Sequence, residues 1–501
     1  MKKLVSIALA GLSVAAGAAP EKLLEAIVTD QTTLVQHATK LGEMSGVPMI
    51  GMGAVGLLAM NPLAGDFGAM RPGADATVLV TLVGDPDLFD GTEESLEAFG
   101  KSVRYTILYP GSVSKADYLA AHTNAVDMGS VVKVDDVEFA AFSADGKWVA
   151  TGNCEKGVGI ALAKAGTVKL PGGETARVNV TGAGMSVLGK FIDMAVAEAK
   201  KEGEEMPPQL VQGLEAIRDI GTLSFAVRVS PEGLDFLGSA VMKPGSRFAA
   251  CGDVAFSSDA LAFAGNAFIA AASAPKAGSW DIAALIEGGA QVLEKHGIKT
   301  SGWLALNRAG DALNIVLDVK AFAAWIKENE DSLSVDEAAL EKDVRELIVS
   351  KYLPVDKAQA ISFTFKDASS ASSASLRFAK AFPSMKSADC NSAGVCSLYG
   401  MLLAIGGEVA ALAESEEATV RNMLAALPPA GDGCIAYAAW KKNGVNEGIV
   451  RVTPEELKGY GTIAMSVVSG ISGSMRGAGM PFEAEELDDD EPDTEDGEDA
   501  E

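Results

Sequence analysis

Four times along this 501-residue chain, an apolar stretch reverses through a short polar turn containing glycine and runs back as a second apolar stretch. Residues 137–153 read VEFAAFSADGKWVATGN and turn at Ala144-Asp145-Gly146-Lys147. Residues 223–242 read LSFAVRVSPEGLDFLGSAVM and turn at Ser230-Pro231-Glu232-Gly233. Residues 303–319 (WLALNRAGDALNIVLDV) turn at Arg308-Ala309-Gly310-Asp311, and 434–452 (CIAYAAWKKNGVNEGIVRV) at Lys441-Lys442-Asn443-Gly444. Glycine and asparagine reach positive φ cheaply, so each unit predicts a β-hairpin.

The intervals between hairpins correspond as well. After the first, the pattern predicts a helix over 155–165, a strand over 176–181 and helices over 185–201 and 208–219. After the third come helices over 320–330 and 335–350, a strand over 360–366, and helices over 372–382, 397–413 and 416–427. Upstream, 76–83 and 103–109 read as strands, with helices near 93–99 and 115–122; 260–272 and a helix over 282–296 are their shortened counterparts. Both halves thus run hairpin, helix, strand, helices, hairpin, the order a duplication leaves. The pattern breaks between Pro244 and Asp259. The expectation is an α+β fold of two related domains, 19–250 and 251–480, each an antiparallel hairpin-rich sheet covered on one face by helices. A doubly wound parallel sheet is excluded, because strand and helix do not alternate.

The ends carry different information. Lys2 and Lys3 precede an apolar stretch from Leu4 to Val14, and Ala16-Gly17-Ala18 supplies the small residues a signal peptidase reads. Residues 1–18 are therefore expected to be an export signal, with the mature chain starting at Ala19, destined for the periplasm or beyond. The apolar core is too short for a membrane span, which needs about 20 residues. Residues 483–501 read EAEELDDDEPDTEDGEDAE, and a run so acidic has nothing to bury, so 481–501 is expected to be a disordered tail. It carries about half of the net charge of −27. Nucleic acid and anionic lipid surfaces would be repelled.

One further stretch, 47–60 (VPMIGMGAVGLLAM), has no charge. It is too short to span a membrane, and Pro48 and its glycines weaken it further, so it reads as a buried helix or hairpin, with membrane-surface contact as the alternative. Aromatics make up only 6% of the sequence, and alanine and glycine carry much of the apolar content, which implies fine packing. Five cysteines, Cys154, Cys251, Cys390, Cys396 and Cys434, leave the pairing open. Cys390 and Cys396, bracketing a short loop, are the nearest candidates for a disulfide. No CxxC occurs.

Candidate sites are sparse. Gly51-Met52-Gly53-Ala54-Val55-Gly56 matches GxGxxG but lacks a preceding strand. Asp85, Asp87 and Asp90, followed by Gly91 and Glu97, resemble a calcium loop whose third acid, glycine and glutamate each fall one place late. The alternative is that Asp85-Pro86-Asp87 forms a turn and Asp90 caps the next helix, with Glu93 completing a capping box. His37, His122 and His296 are isolated, and no nucleophile motif is present. Trp148, Trp303 and Trp440 lie on the hairpins, where a core role is the default; one exposed face holding all three would be a ligand surface. No catalytic, cofactor or metal residue is assigned. The expectation is an exported binding or scaffolding protein whose partner is a protein or envelope component. The alternative is an exported hydrolase using paired carboxylates.

Overall fold

The computed structural model describes residues 20–48, 78–111, 113–134, 138–201, 214–215, 217–246, 254–274, 276–329, 335–350, 352–355, 358–366, 368, 372–410, 427–429 and 431–477. The expected export signal, GxGxxG, Cys251, the 250/251 boundary and the acidic tail lie outside these residues.

The first half contains β1 (Glu21–Val28), α1 (Gln31–Ser45), β2 (Val78–Gly84), α2 (Glu93–Ser102), β3 (Arg104–Pro110) and α3 (Lys115–Ala121). It continues with β4 (Val126–Asp127), β5 (Val132–Val134), β6 (Glu138–Phe142), β7 (Trp148–Gly152), α4 (Glu155–Leu162), β8 (Ala176–Val180), α5 (Gly182–Lys201), β9 (Ile220–Ser230) and β10 (Gly233–Met242). The second half opens with β11 (Ile269–Ser273), β12 (Lys276–Trp280), α6 (Ile282–Lys295), β13 (Leu304–Ala309), β14 (Ala312–Leu317), α7 (Val319–Asn329), α8 (Glu337–Ser350) and β15 (Tyr352–Val355). It closes with β16 (Gln359–Phe365), α9 (Ala374–Ala381), β17 (Ser392–Cys396), α10 (Leu398–Ala410), β18 (Ile435–Lys442), β19 (Val445–Val452) and α11 (Pro454–Gly477).

All four predicted hairpins form: β6–β7, β9–β10, β13–β14 and β18–β19. The third and fourth turn one residue later than predicted, with Ala309 opposite Ala312 and Lys442 opposite Val445; in the fourth, Asn443 (φ 52°) and Gly444 (φ 78°) supply the two consecutive positive-φ positions of a tight hairpin turn.

The two halves do not build separate sheets. Seventeen strands form one sheet, and pairwise registers place them in the order β4-β5-β6-β7-β3-β2-β1-β8-β9-β10-β19-β18-β17-β11-β16-β14-β13. The seam is the antiparallel pairing of β10 with β19, from Leu234 opposite Val452 to Val241 opposite Val445. Every adjacent pair is antiparallel except β14–β16, where α7 and α8 carry the chain across. A separate ribbon joins β12 and β15.

The four strands on each side of the seam match in order and register. In both halves the second hairpin is flanked by a short strand (β8, β17) and then by the half's first strand (β1, β11). Thr181 N–H donates to Leu23 O, as Ser397 N–H does to Phe268 O; Thr29 N–H donates to Thr175 O, as Ala274 N–H does to Asn391 O. A hydroxyl opens the following helix each time, Thr181 Oγ1 accepting from Gly184 N and Ser397 Oγ from Gly400 N. A Cβ on Gly184 would strike the backbone of Leu23, and one on Gly400 the ring of Phe268, so close helix–strand approach demands glycine at both sites. Beyond these strands the halves differ. The first runs outward from β1 through β2 and β3, whereas the second jumps to β13 and returns.

Helices cover both faces, not one. Ile27, Leu79, Leu108, Ala150 and Ala141 stand opposite one another strand by strand and pack beneath Val158 and Ala161 of α4. The same row continues across the seam through Leu237 and Ile449 to Ala438, Ala393 and Ala272, beneath Phe378 and Ala381 of α9. Leu313, Ile315, Ile361 and Phe363 point the other way, against Ala283 and Ile286 of α6. The outer strands of the second half are apolar on both sides, so both sides require a cover. The alanines of the row let α9 approach the sheet closely, which accounts for the alanine-rich composition.

Candidate functional site

At one end of the seam a carboxylate sits between two guanidinium groups. Asp235 is fully buried; its Oδ2 accepts from Arg228 Nη2 at 2.7 Å and Arg451 Nη2 at 2.7 Å, and its Oδ1 from Arg451 Nε at 2.5 Å. Arg451 Nη1 donates to Ala381 O at the end of α9, and its guanidinium lies 5.4 Å from the Phe382 ring centre. Arg228 and Asp235 are directly opposite in the β9–β10 hairpin. That pairing follows from the turn at Ser230–Gly233, whereas Arg451 is brought in by the non-local seam.

A second buried polar group lies where α10 and α11 begin. Glu456 is fully buried and accepts from Tyr399 N at 2.9 Å, Tyr460 OH at 2.8 Å and Ser397 Oγ at 3.3 Å. The carboxylate thus sits at the positive ends of two helices. Burial, and then the adjacent carboxylate, push the Tyr460 hydroxyl pKa upward. Arg377 of α9 is also buried and donates through Nη2 to Ala267 O, while its Nε and Nη1 have no hydrogen-bond partner. Burial lowers its pKa, against the opposing influence of Cys434, Cys396, Asp432 and Glu456. Burial raises the Cys434 thiol to about 12 and the Cys396 thiol to about 11. Glu456, Arg377 and Cys434 are packed away from solvent, and the carboxylate stabilises the two helix ends.

Residues singled out in the sequence are scattered. Asp85 Oδ1 accepts from Asp87 N at 3.1 Å, closing the expected turn. Asp90 Oδ1 accepts from Thr92 N at 3.0 Å and Thr92 Oγ1 at 2.7 Å, and these bonds with Ser95 and Thr92 hold its carboxyl at about 2. The cap of α2 is Thr92, not Asp90, and Ser95, not Glu93, completes the capping box, because Thr92 is the residue immediately before the helix. Glu97 pairs with Lys101. Among the described residues no group of three His, Cys, Asp or Glu is placed to hold a metal ion. His37 bonds Thr175, His122 bonds Tyr118 O, and His296 Nε2 meets Asp343 Oδ2 at 2.7 Å, on three separate elements. Trp148 and Trp440 pack into clusters of the covered face, and Trp303 packs at a tilt against the rings of Phe322 and Trp325. The three tryptophans do not share an exposed surface. Cys390 and Cys396 are free. The loop expected between them contains strand β17, so the pair spans about 20 Å, well beyond disulfide reach.

The surface feature that sequence reading missed is on the sheet face opposite the alanine row. Val80, Ala26, Val178, Phe225, Gly238, Gly448 and Ala439 stand opposite one another across seven strands. Beside them runs a second row: Val28, Ala176, Val227, Phe236, Val450 and Tyr437. Neither row contains a charge, and none of these residues is fully buried. Phe225 is 45% exposed, Val450 is 39% exposed, and the Phe225 and Phe236 rings stack at 6.2 Å. The alternation along the predicted hairpins carried this signal; which face would be covered was not legible.

No protein-family model matches the chain, and no curated protein sequence resembles it. Among solved structures, crystal form I of TP0453 matches at 7% identity over 48% of this chain and 79% of that chain, with a TM-score of 0.22. A likeness this slight bears on neither fold nor function. Among the described residues no helix is long and apolar enough to cross a membrane.

Proposed function

We propose that this chain is an exported, non-enzymatic binding or scaffolding protein of the cell envelope or extracellular space. In this reading it is built from two related α+β units joined edge to edge. The observation that carries it is the uncharged double row across the seam, an apolar surface shared by both halves that no single half could present. Its exposed centre, Phe225, Gly238 and Val450, is apolar surface of the kind that marks interaction sites. The buried carboxylates favour the same reading, since Asp235 is held by two arginines and Glu456 by three donors, which leaves neither as a free acid or base. The common register and matched helix caps support the relatedness of the two units, and the partner is a protein or envelope component with an apolar contact surface.

The test is capture of the tagged, mature protein from crosslinked cells of its source, with and without residues 483–501. A stoichiometric partner that disappears with Phe225→Asp is the expected result. The absence of any partner above background overturns the reading. N-terminal sequencing of the recovered chain is expected to begin at Ala19; a start at Met1 overturns export with cleavage.

A further inference from the structure

We propose that a polar valley on the face carrying the alanine row is a binding site for a neutral, hydroxyl-rich oligosaccharide. On that face α4 packs against β3, β6 and β7, and α9 against β17 and β18. Between them lie β1, β8, β9, β10 and β19, five strands spanning about 19 Å at the usual strand spacing. Two residues along each strand from the alanine row, and so on the same face, Glu25, Asn179, Ser224, Ser239, Glu447 and Trp440 stand opposite one another across the seam. All six are partly exposed, and each carries a polar group.

The row is held in place and has hydrogen-bonding capacity left over. Arg177, fixed by the buried Glu174, donates from Nη1 to Ser224 Oγ at 2.7 Å, and Ser224 Oγ donates to Asn179 Oδ1 at 2.7 Å. That chain leaves the Asn179 amide nitrogen as a donor without a partner among the described residues, and the Ser239 hydroxyl and Glu447 Oε1 have none there either. Trp440 Nε1 donates to Glu447 Oε2 at 2.5 Å, which sets the indole beside the carboxylate. A sugar ring matches this set: its hydroxyls pair with amide, hydroxyl and carboxylate, and its C–H face rests on the indole. Other polymers fit poorly. Glu25 pairs with Lys22 and Lys164, Glu174 with Arg177, and Asp235 with Arg228 and Arg451, so no cationic patch is left for a polyanion. The five strands are each paired on both sides, so an extended peptide finds no edge to join. This site lies on the opposite face from the apolar double row, and failure to capture a protein partner leaves it standing.

The test is affinity electrophoresis of the purified full-length protein through native gels containing dextran, pullulan, galactomannan, xyloglucan or mixed-linkage β-glucan, with heparin as the anionic comparison. Retardation by at least one of the neutral polysaccharides and none by heparin is the expected result. Ser239→Phe fills the centre of the valley and is expected to abolish the retardation, while Asn179→Ala removes one donor and is expected to weaken it several-fold. Urea midpoints report whether the variants fold, and should Ser239→Phe fail to fold, Asn179→Ala decides alone. A loss in either folded variant supports the site. Retardation by none of the neutral polysaccharides, retardation by heparin alone, or retardation that both substitutions leave unchanged overturns the proposal.

Discussion

The seam presents the same register position twice, with different chemistry. Counting from each turn, Arg228 and Asp235 of β9–β10 occupy the places taken by Trp440 and Glu447 of β18–β19. Asp235 faces Arg451 across the seam, whereas Glu447 faces Ser239. One end is therefore a fully buried carboxylate between two cations. The other is a single bond, Trp440 Nε1 to Glu447 Oε2 at 2.5 Å, on a partly exposed rim. Buried charges cost several kcal/mol to desolvate, a cost that close, hydrogen-bonded partners offset. The clamp end can thus exist only when both halves are docked, while the Trp440–Glu447 end is satisfied within its own hairpin.

That contrast can be broken experimentally. Asp235→Ala leaves the buried Arg451 guanidinium beside the partly exposed Arg228 with no carboxylate between them and is expected to cost about 3–5 kcal/mol, read as a shift in the urea midpoint at constant slope. An effect as small as that of a surface substitution would mean that the seam end is hydrated. Leu237→Ala and Ile449→Ala, opposite one another at the centre of the seam, should each cost about 2–4 kcal/mol. A double-mutant cycle should show coupling, and strict additivity would dispute their contact. Thr181→Ala and Ser397→Ala remove equivalent helix caps and should each cost about 1 kcal/mol; a several-fold disparity would argue against related units. Glu447→Gln retains a hydrogen-bond acceptor and should change stability by less than about 1 kcal/mol.

The thiols sharpen the picture through pH. Burial raises Cys434 to about 12 and both Cys390 and Cys396 to about 11, whereas an unfolded cysteine titrates near about 8.5. The native state thus holds these protons more tightly. Their contribution to stability is complete below the unfolded value and is lost as pH rises toward the folded values. Urea midpoints should fall above about pH 9, and iodoacetamide at pH 8 should label the buried Cys390 and Cys434 only after unfolding. Labelling of both in the native protein would overturn their burial.

Much of the local structure was legible because it rests on local chemistry. Asn443-Gly444 and Pro231-Glu232-Gly233 announce reversals whatever surrounds them, and once the second turn is placed, Arg228 opposite Asp235 follows. β1 was missed because EKLLEAIV carries a helix-like mixture of charge and leucine; its strand state comes from β2 and β8 on either side. β17 was missed because Ser392-Ala-Gly-Val-Cys396 has weak strand propensity and is held by β11 and β18. The seam and the apolar double row were out of reach for the same reason: both depend on pairing residues more than 200 positions apart, such as Gly238 with Gly448.

The position of Leu237 opposite Ile449 has a consequence for assembly. Each is the fourth residue after the start of its strand, so β10 and β19 meet about a local twofold axis, and the contact is of the kind two copies of one protein make with each other. Nothing in the eight residue pairs from Leu234–Val452 to Val241–Val445 requires both strands to belong to the same molecule. The second half of one chain can close on the first half of another with every hydrogen bond intact. The choice is then decided by the tether between the halves, through the effective concentration it imposes, against the concentration of other chains. Refolding from dilute solution is then expected to give the closed monomer and refolding from concentrated solution exchanged dimers, which size-exclusion chromatography would separate.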